Sequence, residues 1–196
     1  MKKSILSLLF AFPFSLLAGL TIGQEAPDFT LTDASGNTIS LSDYEGKTVV
    51  LEWINPGCPF VRKFYTNEDM ASFQKEAGEM GVVWLSINST NPDHRDYMTP
   101  EETRAWADEH GHEVPWLLDP EGTVGKAYGA ITTPHMFIID EGGNIVYQGA
   151  IDSIRDAKPA SISEATNYVM QALTAMDEGT SFSDAQTRPY GCSVKY

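Results

Sequence analysis

Two cysteines are the residues of this chain best suited to covalent chemistry. Cys58 lies in the stretch LEWINPGCPFVRKF (residues 51–64), and Cys192 lies near the C-terminus in YGCSVKY. A thiolate can attack a peroxide or a disulfide, two thiols can form one disulfide, and a thiolate can bind a metal. Four roles are therefore open for Cys58: a nucleophile, half of a structural disulfide, a metal ligand or an inert core residue.

The surroundings of Cys58 predict that it lies where a buried strand gives way to a helix. The run TVVLEWI (48–54) is apolar and of strand length, a Pro-Gly turn follows, and Pro59 suits the first helical position. Cys58 is then the N-cap residue, and the positive end of the helix dipole favours its thiolate. Asn55, at the other end of the turn, can donate to the sulfur or to a bound oxygen atom but cannot form a disulfide. An inert core cysteine is disfavoured.

The remaining sequence predicts one α/β sandwich with a mixed sheet. Alternating residues predict a β-hairpin over 28–46, and TTPHMFIIDEGGNIVYQGAI predicts a second one. VVWLSI (82–87) predicts a second buried strand. Helices are expected from Asn67, from a Thr99–Glu102 capping box and from Ser161.

Residues 1–18, MKKSILSLLFAFPFSLLA, predict a cleaved signal peptide, with two lysines before a short apolar core. We therefore expect an exported protein, periplasmic or extracellular, in an oxidising compartment. The rest divides into one domain over 24–179 and a C-terminal tail over 180–196 that carries Cys192. The polar composition of the tail suggests that it is mobile.

The charge balance bears on possible partners. The chain has 27 acidic and 13 basic residues, a net charge of −14, which argues against nucleic acid and against anionic membranes as partners. No phosphate-cradling glycine motif indicates a cofactor, and no G-x-S-x-G turn indicates a hydrolase. Asp152 and Asp156 are interpreted as a solvated loop. No metal site is predicted.

Three motifs together resemble a known family. WINPGCPF follows the first central strand, TTPH (132–135) precedes the penultimate strand, and MFIIDEGGNIVYQGAID is similar to a closing hairpin. The chain thus resembles the thioredoxin-fold superfamily in its peroxiredoxin-like, or redoxin (alkyl hydroperoxide reductase/thiol-specific antioxidant), branch. The resemblance implies a three-layer sandwich with a mixed central sheet, an N-terminal β-hairpin extension and a C-terminal tail. It also implies that Cys58 is catalytic and that Pro134 is cis beside it.

The chain departs from that family at its active turn. Asn55 occupies the place of the first cysteine of thioredoxins and of the Thr or Ser of typical peroxiredoxins. Arg62 is the nearer candidate for the arginine that stabilises the thiolate, and Arg155 a more distant one. Asn55, Arg62 and the Thr133–Pro134 loop are expected to shape the substrate pocket. Cys192 could be a resolving thiol, one end of a permanent disulfide, or unpaired.

The sequence thus predicts an exported thiol oxidoreductase that reduces peroxides through Cys58, with Cys192 as its partner and an external thiol as reductant. The alternative is a thiol-disulfide oxidoreductase acting on protein disulfides. Two further alternatives are a copper-binding protein, in which His135 could join the cysteines, and a non-catalytic binding module. These last two are less favoured.

Overall fold

The structure is a computed structural model that describes residues 19–196, so the predicted signal peptide lies outside the described residues. Within 19–196, no helix has the length and apolar character needed to cross a membrane. The strands are β1 (Thr30–Asp33), β2 (Thr38–Ser40), β3 (Val49–Trp53), β4 (Val83–Asn88), β5 (Trp116–Leu118), β6 (Thr132–Thr133), β7 (His135–Ile139), β8 (Ile145–Gly149) and β9 (Cys192–Ser193). The helices are α1 (Pro59–Tyr65), α2 (Asp69–Glu79), α3 (Pro100–Glu109), α4 (Thr123–Tyr128) and α5 (Tyr168–Asp177).

The main sheet has seven strands in the order β2-β1-β5-β4-β3-β7-β8. Strands β3, β4 and β5 are parallel, whereas β7 runs antiparallel to β3, so the sheet is mixed as predicted. All five residues of β3 are buried, because apolar layers cover both faces of the sheet. Helices α1, α2 and α5 pack on one face, and α4 with residues before β1 packs on the other. The predicted three-layer fold is confirmed.

Both predicted hairpins form, and the Thr99–Glu102 capping box is present. Two predicted helix starts are wrong. The second helix begins after Glu68 rather than Asn67. The last begins after Asn167, whose side chain accepts from the Met170 N–H at 3.0 Å, whereas Ser161 donates to Asp156 within a 3₁₀ turn. The competing cap lies six residues further along the chain and satisfies the backbone of a regular helix.

The C-terminal tail is docked on the body, which contradicts the expectation of a mobile segment. Gln186 pairs with Gln148 beside β8, Tyr190 is buried, and β9 pairs antiparallel with β6. The Asn91 N–H also donates to the Lys195 carbonyl at 2.7 Å. The tail therefore crosses the carboxyl-terminal end of β3, where Cys58 lies.

Candidate thiol redox site

Cys58 is the N-cap residue of α1, as predicted, with the extended backbone that this position requires. Its N–H donates to the Asn55 carbonyl at 3.0 Å, and its carbonyl accepts from the Val61 N–H at 3.1 Å. Among the described residues, its sulfur makes no hydrogen bond to the N–H groups of the helix. The sulfur instead donates to the Thr133 carbonyl at 3.0 Å. Cys58 is 2% exposed.

The Thr133–Pro134 peptide bond is cis, as the resemblance implied. It joins β6 to β7, and β7 is paired with β3, so the loop lies beside the strand that leads into the Cys58 turn. The Thr133 hydroxyl is buried and has no hydrogen-bond partner among residues 19–196. The loop thus offers a carbonyl to Cys58 and leaves a hydroxyl available.

Cys192 is held directly against Cys58. The register of β6 and β9 places Cys192 opposite Thr133, and the Cys192 N–H donates to the Cys58 sulfur at 3.4 Å. Both thiols are free. Partial burial is the largest cause, followed by the hydrogen bonding and electrostatic interaction of the Cys192 thiol with the Cys58 sulfur, and together they raise the pKa of Cys192 to about 11. Cys192 therefore keeps its proton at neutral pH.

Asn55 is buried, and its side chain supports the turn instead of reaching the sulfur. Its Oδ1 accepts from the Gly57 N–H at 2.7 Å, and its Nδ2 donates to Thr90 Oγ1 at 2.7 Å. A Cβ on Gly57 would lie 2.8 Å from the Asp96 carboxyl carbon, so the turn also lies against that acid. Asn55 fixes the backbone that presents Cys58.

Among the hydrogen bonds of the described residues, neither candidate arginine contacts a thiol. Arg62 is exposed, and its Nε donates to the Pro56 carbonyl at 2.7 Å, so it braces the turn from outside. Arg155 is exposed in the loop after β8. Its place in the structure gives no support to a role beside Cys58.

A buried ion pair near the site is not apparent from the sequence. Lys63 Nζ and Asp152 Oδ2 are 2.7 Å apart, and both side chains are almost fully buried. The interpretation of Asp152 as a solvated residue is therefore wrong. Asp152 is buried because Lys63, on α1, neutralises it, and a single sequence shows no periodicity that would join the two residues.

A second buried cluster, also not predicted, surrounds Glu52 on β3. Burial raises the pKa of its carboxyl, which accepts hydrogen bonds from Tyr65 at 2.9 Å and from Trp84 at 2.9 Å. The signal in the sequence is the single acid inside the apolar run TVVLEWI, which a strand buried on both faces must provide with partners.

His135 was the candidate third ligand of a copper site. It is buried, and its Nδ1 is 3.3 Å from the Ile131 N–H. Burial lowers its pKa to about 3, so the ring is neutral. Within residues 19–196, no three His, Cys, Asp or Glu side chains form a group that could hold a metal.

Comparison with known proteins identifies the family. Residues 22–148, which include the Cys58 turn and the cis-proline loop, match the AhpC/TSA family. The chain belongs to this family. It is a thiol oxidoreductase of the redoxin type, and the C-terminal tail lies beyond the matched residues.

Three relatives show the range of this similarity. A Mycobacterium tuberculosis protein with a provisional peroxiredoxin name is 32% identical over 143 residues, which cover 65% of this chain and 83% of the relative. The thiol-disulfide oxidoreductase ResA of Geobacillus thermodenitrificans is 31% identical over 139 residues, which cover 70% of this chain and 74% of ResA. A solved structure of a conserved Geobacillus kaustophilus protein is 30% identical, with a TM-score of 0.79, and the match covers 90% of this chain and 92% of that protein. The relatives of this chain therefore carry both peroxiredoxin and thiol-disulfide oxidoreductase names.

Proposed function

We propose that this chain is an exported thiol peroxidase in which Cys58 is the attacking thiolate and Cys192 the resolving thiol. The observation that most supports the proposal is the contact between the two free cysteines, in which the Cys192 N–H donates to the Cys58 sulfur. The export component rests on the signal-like sequence of residues 1–18.

The proposed reaction has two steps and a reset. The Cys58 thiolate attacks one oxygen of a hydroperoxide, an S–O bond forms, the O–O bond breaks, and the leaving oxygen takes a proton to become an alcohol or water. The Cys192 sulfur then attacks the Cys58 sulfenic acid. An S–S bond forms, and the hydroxyl leaves as water with the proton of Cys192. An external dithiol returns two electrons to the disulfide and restores both thiols.

Accessibility favours a peroxide over a protein disulfide as the first electrophile. Cys58 is 2% exposed beneath the docked tail, so a bulky disulfide has no path to its sulfur unless the tail leaves. A small hydroperoxide needs much less space. The buried Thr133 hydroxyl, which has no partner among residues 19–196, is a candidate donor to the bound peroxide. Asn55 and Pro134 complete the proposed pocket, and Arg62 braces its turn.

Disulfide exchange is the second candidate function, and one observation favours it. The tail adds a short extended strand with a cysteine to the backbone of the cis-proline loop, with Cys192 opposite Thr133. A partner polypeptide with an extended Cys-containing segment could bind the same edge by the same backbone hydrogen bonds once the tail is displaced. In that case Cys58 would attack a disulfide sulfur through a mixed disulfide.

The test uses reduced protein of residues 19–196. It is treated with one equivalent of hydrogen peroxide or, in parallel, with a disulfide-bonded peptide, and both cysteines are mapped by mass spectrometry. A rapid 58–192 bond with peroxide, a trapped sulfenic acid at Cys58 in Cys192→Ser, and no reaction in Cys58→Ser are expected. If both thiols remain unreacted with peroxide after minutes while the peptide disulfide is consumed, the peroxidase proposal is wrong and disulfide exchange replaces it.

A further inference from the structure

Tyr190 joins the tail to the buried ion pair under α1. It is 8% exposed, its hydroxyl donates to Asp152 Oδ1, and it lies 3.2 Å from Lys63 Nζ. Burial and the neighbouring Asp152 carboxylate raise the pKa of Tyr190, so the phenol keeps the proton that it donates. Hydrogen bonds to charged groups are stronger than neutral ones. The tail is therefore anchored at a charged, water-shielded point.

The Tyr190 hydroxyl completes the hydrogen bonding of both charges. Lys63 Nζ contacts Asp152 Oδ2 at 2.7 Å, the Ile154 carbonyl at 2.8 Å and the Tyr190 hydroxyl at 3.2 Å, which accounts for its three donors. Without the hydroxyl, one ammonium hydrogen would lack a hydrogen-bond partner, since Asp156 Oδ1 is 3.7 Å away, and Asp152 Oδ1 would keep only the Ile154 N–H at 3.2 Å. Such a loss is costly, so the contact holds Tyr190 in place.

The Tyr190 anchor is close in sequence to both thiols, through α1 to Cys58 and through the tail to Cys192. Lys63 is on the helix whose N-cap is Cys58, and Phe60 of the same helix packs edge-on against the Tyr190 ring at 5.8 Å. Tyr190 precedes Cys192 by two residues, and the intervening Gly191 is pressed against the Thr133 carbonyl. The short connections leave little freedom between the anchored ring and the Cys192 sulfur.

We propose that Tyr190, held by the Lys63–Asp152 ion pair, is the positioning residue that seats Cys192 against Cys58 for disulfide formation. This inference rests on the proposed function, because it assumes that the two cysteines form a redox pair. Anchoring raises the effective concentration of the Cys192 sulfur at Cys58, and that concentration sets the rate of the second step. The first step uses peroxide, Cys58 and the pocket formed by Asn55, Thr133 and Pro134, so it does not depend on the Tyr190 hydroxyl.

The experiment compares two Tyr→Phe variants in the full described chain, residues 19–196. Tyr190→Phe removes the anchoring hydroxyl but keeps the ring that packs on Phe60. Tyr196→Phe is the matched control. Tyr196 lies on the same tail, and its hydroxyl donates to the Ala130 carbonyl at 2.7 Å, away from the ion pair. Reduced protein is mixed with one equivalent of hydrogen peroxide and quenched at intervals. Sulfenic acid at Cys58 and the 58–192 disulfide are then quantified by mass spectrometry, and thermal unfolding is recorded for each protein.

Tyr190→Phe is expected to form the disulfide about tenfold more slowly than the unmodified protein, with sulfenic acid accumulating and Cys58 oxidation no slower. Tyr196→Phe should stay within about twofold for both steps. A merely structural loss would slow both steps or lower the melting temperature without separating them.

Other results would overturn the inference in distinguishable ways. If Tyr190→Phe forms the disulfide as fast as the unmodified protein, or if both variants slow it equally, the positioning role is wrong while the redox pair stands. If the unmodified protein forms neither sulfenic acid nor the 58–192 bond, the proposed function itself fails and the positioning role fails with it.

Discussion

The two cysteines lie in regions that are stabilised in opposite ways. The backbone of the Cys58 turn is braced by contacts within eight residues of sequence, in which Asn55 accepts from Gly57 and Arg62 donates to Pro56, and by a hydrogen bond from Asn55 to Thr90; none of these three contacts involves the tail. The tail that carries Cys192 is held by distant groups, with separations of 127 residues to Lys63 and 134 to Cys58. The backbone of the turn is therefore supported without the tail, whereas the position of Cys192 depends on docking.

This difference separates the two chemical roles. A nucleophile on a locally braced turn stays in position whether or not the tail is docked. A partner thiol on a docked segment can move towards or away from the nucleophile without moving its turn, because the hydrogen bonds that brace the turn backbone do not involve the tail. Changes confined to the tail should alter pairing and the access of reagents to Cys58 while leaving the position of its turn unchanged.

The strongest test of this comparison is Gly191→Ala. Gly191 has φ +136, and an added Cβ would lie 2.0 Å from the Thr133 carbonyl oxygen, so the variant cannot keep β9 paired with β6. We expect the rate of 58–192 disulfide formation to fall by about a hundredfold or more and Cys58 to become open to iodoacetamide. Mass spectrometry of timed alkylation and oxidation measures both.

The matched control is Gly179→Ala. Gly179 also has a positive φ, +65, but an added Cβ would meet nothing within 4 Å. It carries backbone strain without the clash, so it should leave pairing nearly unchanged. Equal loss of 58–192 disulfide formation in both variants would show that backbone strain anywhere near the C-terminus undocks the tail. The contrast drawn between the two regions would then be wrong.

The next effect concerns the ion pair shared by the two regions. Lys63→Met leaves the Asp152 carboxylate buried without its cation, and breaking a buried pair costs about 3–5 kcal/mol of unfolding free energy. The control is Lys47→Met at an exposed position, which should change the unfolding free energy by less than about 0.5 kcal/mol. Urea unfolding of the reduced proteins measures both. A small loss for Lys63→Met would mean that the buried Lys63–Asp152 contact is not what stabilises this part of the fold.

The local region was accessible to sequence analysis. The apolar run before the turn, Pro59 at the first helical position and the Thr99–Glu102 capping box are all short-range signals, and each formed as predicted. The cis form of Pro134 came from family resemblance, since few X–Pro bonds are cis and the residues alone do not distinguish them.

The tail was not accessible in this way. Its docking depends on one buried tyrosine, one glycine over a carbonyl and an ion pair formed by residues 63 and 152, none of which is periodic in sequence. The same long-range character explains why the sequence alone predicts a solvated Asp152. The roles of Cys58 and Cys192 remain predictions that the oxidation experiments test.

A third prediction concerns the stability of the protein in acid, which depends on two histidines outside the C-terminal tail. Burial lowers the pKa of His112 to about 4 and of His135 to about 3, from an ordinary value of 6.5. Between pH 6.5 and 4 the unfolded chain binds protons that the folded chain does not, so the unfolding free energy falls as pH falls. Each unit of pKa difference is worth about 1.4 kcal/mol. Glu52 opposes this trend, because burial raises the pKa of its carboxyl and the folded chain therefore binds that proton more readily than the unfolded chain does.

Urea unfolding at pH 7 and pH 4.5 measures the loss. His135→Gln should lose less stability in acid than the unmodified protein, since it lacks one of the two histidines. Gly191→Ala should show the same acid dependence as the unmodified protein, because both histidines belong to the body. A dependence that disappears with the tail undocked would instead assign the titration to the docking contacts.

The smallest expected effect is electrostatic and lies where the two regions meet. Burial and Cys58 are the larger causes of the raised pKa of Cys192, and Asp96, beside Gly57, adds to them. Asp96→Asn should lower that pKa slightly, increase the Cys192 thiolate fraction and speed disulfide formation about two- to threefold at pH 8. The exposed Asp93→Asn on the same loop is the control.

Salt provides the decisive arm of this test. The Asp96 side chain is 23% exposed, so part of its electrostatic effect on Cys192 passes through solvent and is screened by salt. The rate difference between Asp96→Asn and the unmodified protein should therefore shrink when the salt concentration rises from 0.05 to 0.5 M, because the Debye length falls from roughly 14 to 4 Å. A difference that persists at high salt would mean that Asp96 acts by packing against the Gly57 turn. The acid would then belong to the locally braced region that holds Cys58, and its charge would not tune the docked thiol.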